Sequence, residues 1–357
     1  LVGRYFGARQ FDRVAAPVWA MIWMSIASAA IFYPFALFGG DLVFYGSPYA
    51  AIAKQFFCTL CFFGPLLPLN AALSSFWIGR GRVVFVTSVV AISSCLNIIL
   101  DYLMIFGRGP FPELGVYGAA LGTGISQLFL SIVLFTAFLR RKYRKRYNTA
   151  HICFDFVACK EALFLGFPQA LAMGIQCLAW AFFFRIMSIT SEQHAFICAI
   201  AQAIFFFFNF IIEGISKAVA AISSNLIGAK RFIDIKLVVS AGIKLLFMIG
   251  ALLCACIISF PEVFLELFLP DKGDFSQELF ENMYSALFWI WLSLMGEAMV
   301  FLFGGVLLAF GDSRFILLIT SVCVWVFGVA PAAVATLILH QGPAVALALA
   351  TCYYAIA

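Results

Sequence analysis

The stretch NIILDYLMIFGRGPFPELGVYGAALGTGISQ, residues 97–127, decides how this chain is read. Its apolar run ends on a carboxylate, Asp101, four residues after an amide, Asn97. Residues four apart share one face of a helix, so both side chains point at one spot. A loop carrying Pro110, Pro112 and Gly115 follows, then a small-residue segment from Gly118 to Gly124. In lipid an ionisable group costs several kcal/mol unless it meets a partner or a water-filled cavity. Asp101 is therefore the first candidate for function.

The rest of the chain makes lipid the expected solvent. It is 64% hydrophobic and 11% charged, with a mean hydropathy of +1.06. A soluble domain is nearer half apolar and a quarter charged. The expectation is an all-α, multi-pass membrane protein with no soluble domain of useful size between its apolar runs. The net charge of +5 carries meaning through its distribution along the chain and does not point to nucleic acid. Cys58 and Cys61 form a CxxC, but phenylalanines flank it and no histidine or second pair is near. With most of the eleven cysteines inside apolar runs, they read as buried thiols rather than as metal or redox groups. The residues before the first span do not read as a signal peptide, and because the chain opens on Leu1 rather than Met an upstream segment is expected.

Apolar runs of about 20 residues mark membrane helices. Nine spans are expected, over 15–38, 50–76, 83–106, 115–139, 162–189, 195–223, 237–259, 282–309 and 315–339, with a tenth starting near Pro343. Arg4, Arg9 and Arg13, Arg80 and Arg82, the run 140–146, Lys160, Lys230, Arg231, Lys236 and Arg314 fall in one set of loops. Asp41, Glu113, Glu192, Glu262, Glu266, Asp271, Asp274, Glu278 and Glu281 fall in the other. The positive-inside rule puts the basic loops and residue 1 in the cytoplasm and the 262–281 loop outside. The run Arg140, Arg141, Lys142, Arg144, Lys145, Arg146 reads first as a topology anchor, with anionic-lipid contact as the second reading.

A repeat is visible. YFGARQF (5–11) and LIGAKRF (226–232) share a Gly-Ala-basic-x-Phe core, and GRGRVVFVTSVV (79–90) corresponds more weakly to GDSRFILLITSVC (311–323). One period holds six spans, an even number, so the halves insert in the same orientation. The expectation is two pseudo-symmetric six-helix lobes. Residues 1–146 would form helices 3–6 of the N-terminal lobe, 147–160 a cytoplasmic linker, and 161–357 helices 7–11 with the start of 12. Two helices are expected upstream and the rest of the last downstream.

These stretches, with VGRYFGAR, LGFPQALAMGIQ (165–176), EGISKAVAAISSNLIGAK (213–230) and GEAMVFLFGGVLLAFGDSR (296–314), resemble the multidrug and toxic compound extrusion (MATE) family of secondary transporters. The resemblance implies an N-lobe site for a coupling proton or sodium ion. Asn97 and Asp101 match its Asn and Asp, Thr123 a sixth-helix Thr, and Asn70 a polar fourth-helix residue. In the C lobe, Glu297 matches a tenth-helix acid, while Gln176 stands where a seventh-helix acid is usual. That departure weakens the case for coupling through the C lobe.

Other polar groups admit two readings each. Glu213 and Lys217 sit four apart, which favours mutual neutralisation over substrate contact. Arg185 either snorkels at the outer end of its span or meets an anionic substrate. Pro65, Pro68, Pro168 and Pro331 can kink spans, and Gly118 and Gly122 permit close helix packing. No HExxH, GxSxG or Walker A loop is present, so nothing reads as an enzyme and no cofactor is expected. The resulting expectation is a monomeric cell-membrane antiporter of drug-like or metabolite molecules, coupled to H⁺ or Na⁺. A flippase for lipid-linked precursors or polysaccharide, of the same superfamily, is the alternative; a channel or a non-transporting scaffold ranks behind it.

Overall fold

A computed structural model describes residues 1–45, 50–152, 154–259 and 277–356. Among them, nine helices are long and apolar enough to cross a membrane. A short helix, α1 (Val2–Gly7), comes first. The spans α2 (Phe11–Val43), α3 (Ala50–Ile78), α4 (Val83–Ile105) and α5 (Gly115–Phe138) follow. The seven-residue helix α6 (Arg141–Tyr147) then precedes α7 (Phe156–Thr190), α8 (His194–Gly228), α9 (Phe232–Cys256), α10 (Ser285–Phe310) and α11 (Ser313–Leu337). A shorter apolar helix, α12 (Pro343–Ala355), ends the chain. The all-helical architecture follows from the solvent: in lipid each backbone N–H and C=O needs an internal partner, which a helix supplies. The acidic stretch Glu262–Asp274 lies outside the described residues.

Several ends and breaks have visible causes. Helix α7 starts at Phe156, inside the expected linker, because the Asp155 carboxylate accepts from Val157 N at 2.9 Å and Ala158 N at 3.1 Å. Asp312 caps α11 in the same way, through Phe315 N at 3.2 Å. Span α3 is interrupted at Gly64 and Pro65, where helix ends at Phe63 and resumes at Leu66. Pro168 stays inside a continuous helix, whereas Pro331 follows a π-helical turn over Val324–Val329. A second π turn, Phe35–Gly39, follows Pro34.

The chain divides into two compact units. The first is Leu1–Leu163 with Ser224–Lys230, and the second is Phe164–Ser223 with Arg231–Ala357. The first unit holds both copies of the Gly-Ala-basic motif, and they share one geometry. Arg9 and Lys230 each end a helix in the left-handed region, at φ 59° and 58°. Arg9 N donates to Phe6 O at 3.1 Å and Lys230 N to Ile227 O at 3.0 Å. The weaker correspondence also has a structural counterpart. Gly81 and Gly311 both have positive φ, and the next residue's N–H returns to Trp77 O at 2.9 Å and to Leu307 O at 3.0 Å.

Aromatic packing closes one end of the first unit. Phe76 stands edge-on to Phe138 at 4.7 Å between centroids, and Trp77 edge-on to Tyr143 at 5.1 Å. Arg80 is buried in this cluster, with its guanidinium carbon 3.8 Å from the Phe76 centroid and 4.7 to 4.8 Å from those of Trp77, Tyr143 and Tyr147. Burial pushes its pKa below the ordinary arginine value, and the phenols of Tyr147 and Tyr143 beside it oppose that shift. In the second unit the core is built around Phe183, Met187, Ile204, Leu246, Leu294 and Leu302.

Candidate functional site

In the first unit, α4 and α5 place Asp101 where the sequence spacing put it. Asn97 Nδ2 donates to Asp101 Oδ1 at 3.1 Å, one turn apart on α4. Both residues are half-buried. The carboxylate lies directly over Gly122 of α5, and a Cβ there would collide with Asp101 Oδ1. The small-residue segment therefore does more than let two helices approach, because it leaves the space that the carboxylate occupies. Thr123 is adjacent but turns its hydroxyl back to Ala119 O at 3.0 Å. This is the usual i−4 bond of a threonine inside a helix.

Asn70 belongs to a separate polar group. It is buried, donates to Gln127 Oε1 at 2.8 Å, and accepts from Ser131 Oγ at 2.7 Å. Nearby, Ser93 Oγ donates to Ser126 O at 2.7 Å, tying α4 to α5. Sequence reasoning found Asn70 but neither of its partners. Gln127 and Ser131 are four apart on α5, as a shared face requires, and that spacing was the available signal.

In the second unit, Glu297 of α10 is 3% exposed, and its Oε2 has no hydrogen-bond partner among the described residues. A buried polar atom without a partner is uncommon and calls for an explanation. Tyr353 and Tyr354 of α12 lie within electrostatic range of it, with their rings tilted at 32° and 4.0 Å between centroids. Both hydroxyls are buried. Gln176 of α7 lies beside Tyr353. Two tyrosines thus stand near the carboxylate that sequence reasoning paired with Gln176 alone.

Glu213 and Lys217 form an ion pair at 2.7 Å on α8, the arrangement expected from their spacing. Glu213 also lies within electrostatic range of Glu297. The Arg185 residue is exposed on α7. The thiols of Cys58 and Cys61 are partly buried, and the described residues contain no group of three or more His, Cys, Asp or Glu able to hold a metal ion.

The chain has relatives among known proteins and solved structures. A probable multidrug resistance protein of Bacillus subtilis, YoeA, is 25% identical over 281 residues, covering 76% of this chain and 60% of the relative. The probable multidrug resistance protein NorM of Bacillus subtilis is 26% identical over 285 residues, 78% of this chain and 61% of that protein. The chain thus spans about 60% of the length of these two relatives. A MOP superfamily transporter from Pyrococcus furiosus has the same fold, with a TM-score of 0.88 at 20% identity over 99% of this chain and 78% of that one. A MATE structure in a straight conformation matches at a TM-score of 0.88 and 19% identity, with the same two coverages. The MatE family model matches residues 1–103 and 168–334, which include Asn70, Asn97, Asp101, Gln176 and Glu297. With nine apolar spans among the described residues and a family match over most of its length, the chain belongs to the MatE family.

Proposed function

We propose that this protein is a secondary transporter that exports drug-like or metabolite small molecules in exchange for an ion, by alternating access. The observation that carries the reading is the Asp101 carboxylate, set over Gly122 with Asn97 as its partner. A membrane-embedded carboxylate whose charge changes with the bound ion can bias a two-state equilibrium toward one open form. Asp101 couples, and Glu297 recognises substrate. Glu297, with tyrosine neighbours and the Glu213 carboxylate within electrostatic range, suits a cationic or hydrogen-bonding group.

The coupling ion is a proton. A proton needs a single oxygen to hold it, and the Asp101 carboxylate with its Asn97 partner supplies one. The basic loops face the cytoplasm and the protein works as a monomer in the cell membrane. The test is efflux of a fluorescent cationic dye from vesicles holding the whole protein, with a pH or a sodium gradient imposed separately. Efflux driven by the pH gradient alone supports the reading. Efflux driven only by sodium overturns the ion assignment, and no gradient-driven efflux overturns the transport reading.

A further inference from the structure

Helix α6 is a fixed platform of positive charge. Six of the seven residues 140–146 are Lys or Arg, all six are exposed, and the nearest acids along the chain are Glu113 and Asp155. The seventh, Tyr143, and the next residue, Tyr147, share the opposite face of the helix. Both tyrosines pack on Phe76, and both meet the Arg80 guanidinium in its ring cage. The platform is tied down elsewhere too. Arg146 sits over the Phe11 ring at 5.0 Å, Arg144 Nε donates to Leu139 O, and Trp19 Nε1 donates to Thr149 O at 3.1 Å. Asn148, at φ 55°, ends the helix in a left-handed cap. Arg141, Lys142 and Lys145 are exposed on the outward side, with Arg141 and Lys145 one turn apart.

We propose that this outward face docks the phosphate headgroups of anionic phospholipid. Span α5 ends at Phe138, three residues before α6 begins, so the helix lies at the headgroup level beside that span's end. A loop that only oriented the spans would need its charges but not a caged arginine and two tyrosines packed on it to hold them in register. Fixed cations at this depth attract anionic headgroups, each Lys or Arg adding to the affinity. Lipid is the source because the platform follows the end of a membrane span by three residues.

The test is native mass spectrometry of the whole purified protein in neutral detergent, titrated with palmitoyl-oleoyl phosphatidylglycerol or phosphatidylcholine. Wild-type protein should retain phosphatidylglycerol in preference to phosphatidylcholine. The double variant Arg141→Gln, Lys145→Gln should bind phosphatidylglycerol roughly tenfold or more weakly, with an unchanged melting temperature. An equal charge loss elsewhere, Lys236→Gln with Arg314→Gln, should leave binding unchanged. Equal retention of both lipids, or the same loss from both double variants, would overturn the proposal. Competition by inorganic phosphate at the lipid's own concentration would overturn it as well, by assigning the cations to a free anion.

Discussion

Gly7 and Gly228 pack reciprocally, each against the other motif's backbone. A Cβ on Gly7 would strike the carbonyl oxygen of Asn225, and one on Gly228 would strike that of Arg4. Gly7 lies three residues after Arg4, and Gly228 three after Asn225, so the two contacts are images of each other. The Gly-Ala-basic motif is thus a helix end shaped to meet its own repeat. Because the obstacle is backbone, no rotamer change relieves it. Gly7→Ala and Gly228→Ala should each destabilise by about 1–3 kcal/mol, as overpacking does. The double variant should cost less than the sum, since one opening relieves both clashes. Thermal unfolding of the purified single and double variants measures this, and strict additivity would show that the contacts are independent.

Gly122→Ala should abolish gradient-driven efflux while the protein still folds. The added methyl takes the place of Asp101 Oδ1 and pushes the carboxylate off its amide partner. Vesicle transport beside a melting curve separates the two effects. Transport at the wild-type rate would mean that the position of Asp101 is not critical.

Asn70→Ala should lower stability by about 1–3 kcal/mol, because Gln127 and Ser131 lose their buried partner. Coupling should survive, since Asn70 is bonded to α5 and not to Asp101. The readout is the melting temperature together with the ratio of dye exported to protons imported. An unchanged melting temperature with a lost ratio would move Asn70 into the ion site.

Arg80→Lys should not rescue the loss caused by Arg80→Ala. Arg80 stacks a planar guanidinium among four rings, and an ammonium is a compact point charge that cannot reproduce that contact. Each variant should unfold at a lower temperature than wild type by a similar amount. Full recovery by lysine would mean that charge alone matters at this position.

The sequence made the spans legible because lipid demands long apolar helices, and a 20-residue run leaves little ambiguity. The Asn97 and Asp101 pairing was legible because four residues is one helical turn. What stayed hidden depends on contacts between elements distant in sequence. Tyr353 and Tyr354 sit in an apolar run far from Glu297, with no spacing that links them. Arg80 looked like one more loop charge until Tyr143 and Tyr147 closed over it. The Gly-Ala motifs were visible as a repeat, but their meeting was not, since a shared motif does not say that its copies touch.

The central claim is that Asp101 carries the coupling. In vesicles holding the whole protein under an imposed pH gradient, Asp101→Asn should stop uphill dye efflux while dye binding stays close to wild type. In the same vesicles Glu297→Gln should weaken binding, most for cationic dyes, and keep residual uphill efflux. Uphill efflux by Asp101→Asn at the wild-type rate would contradict the account.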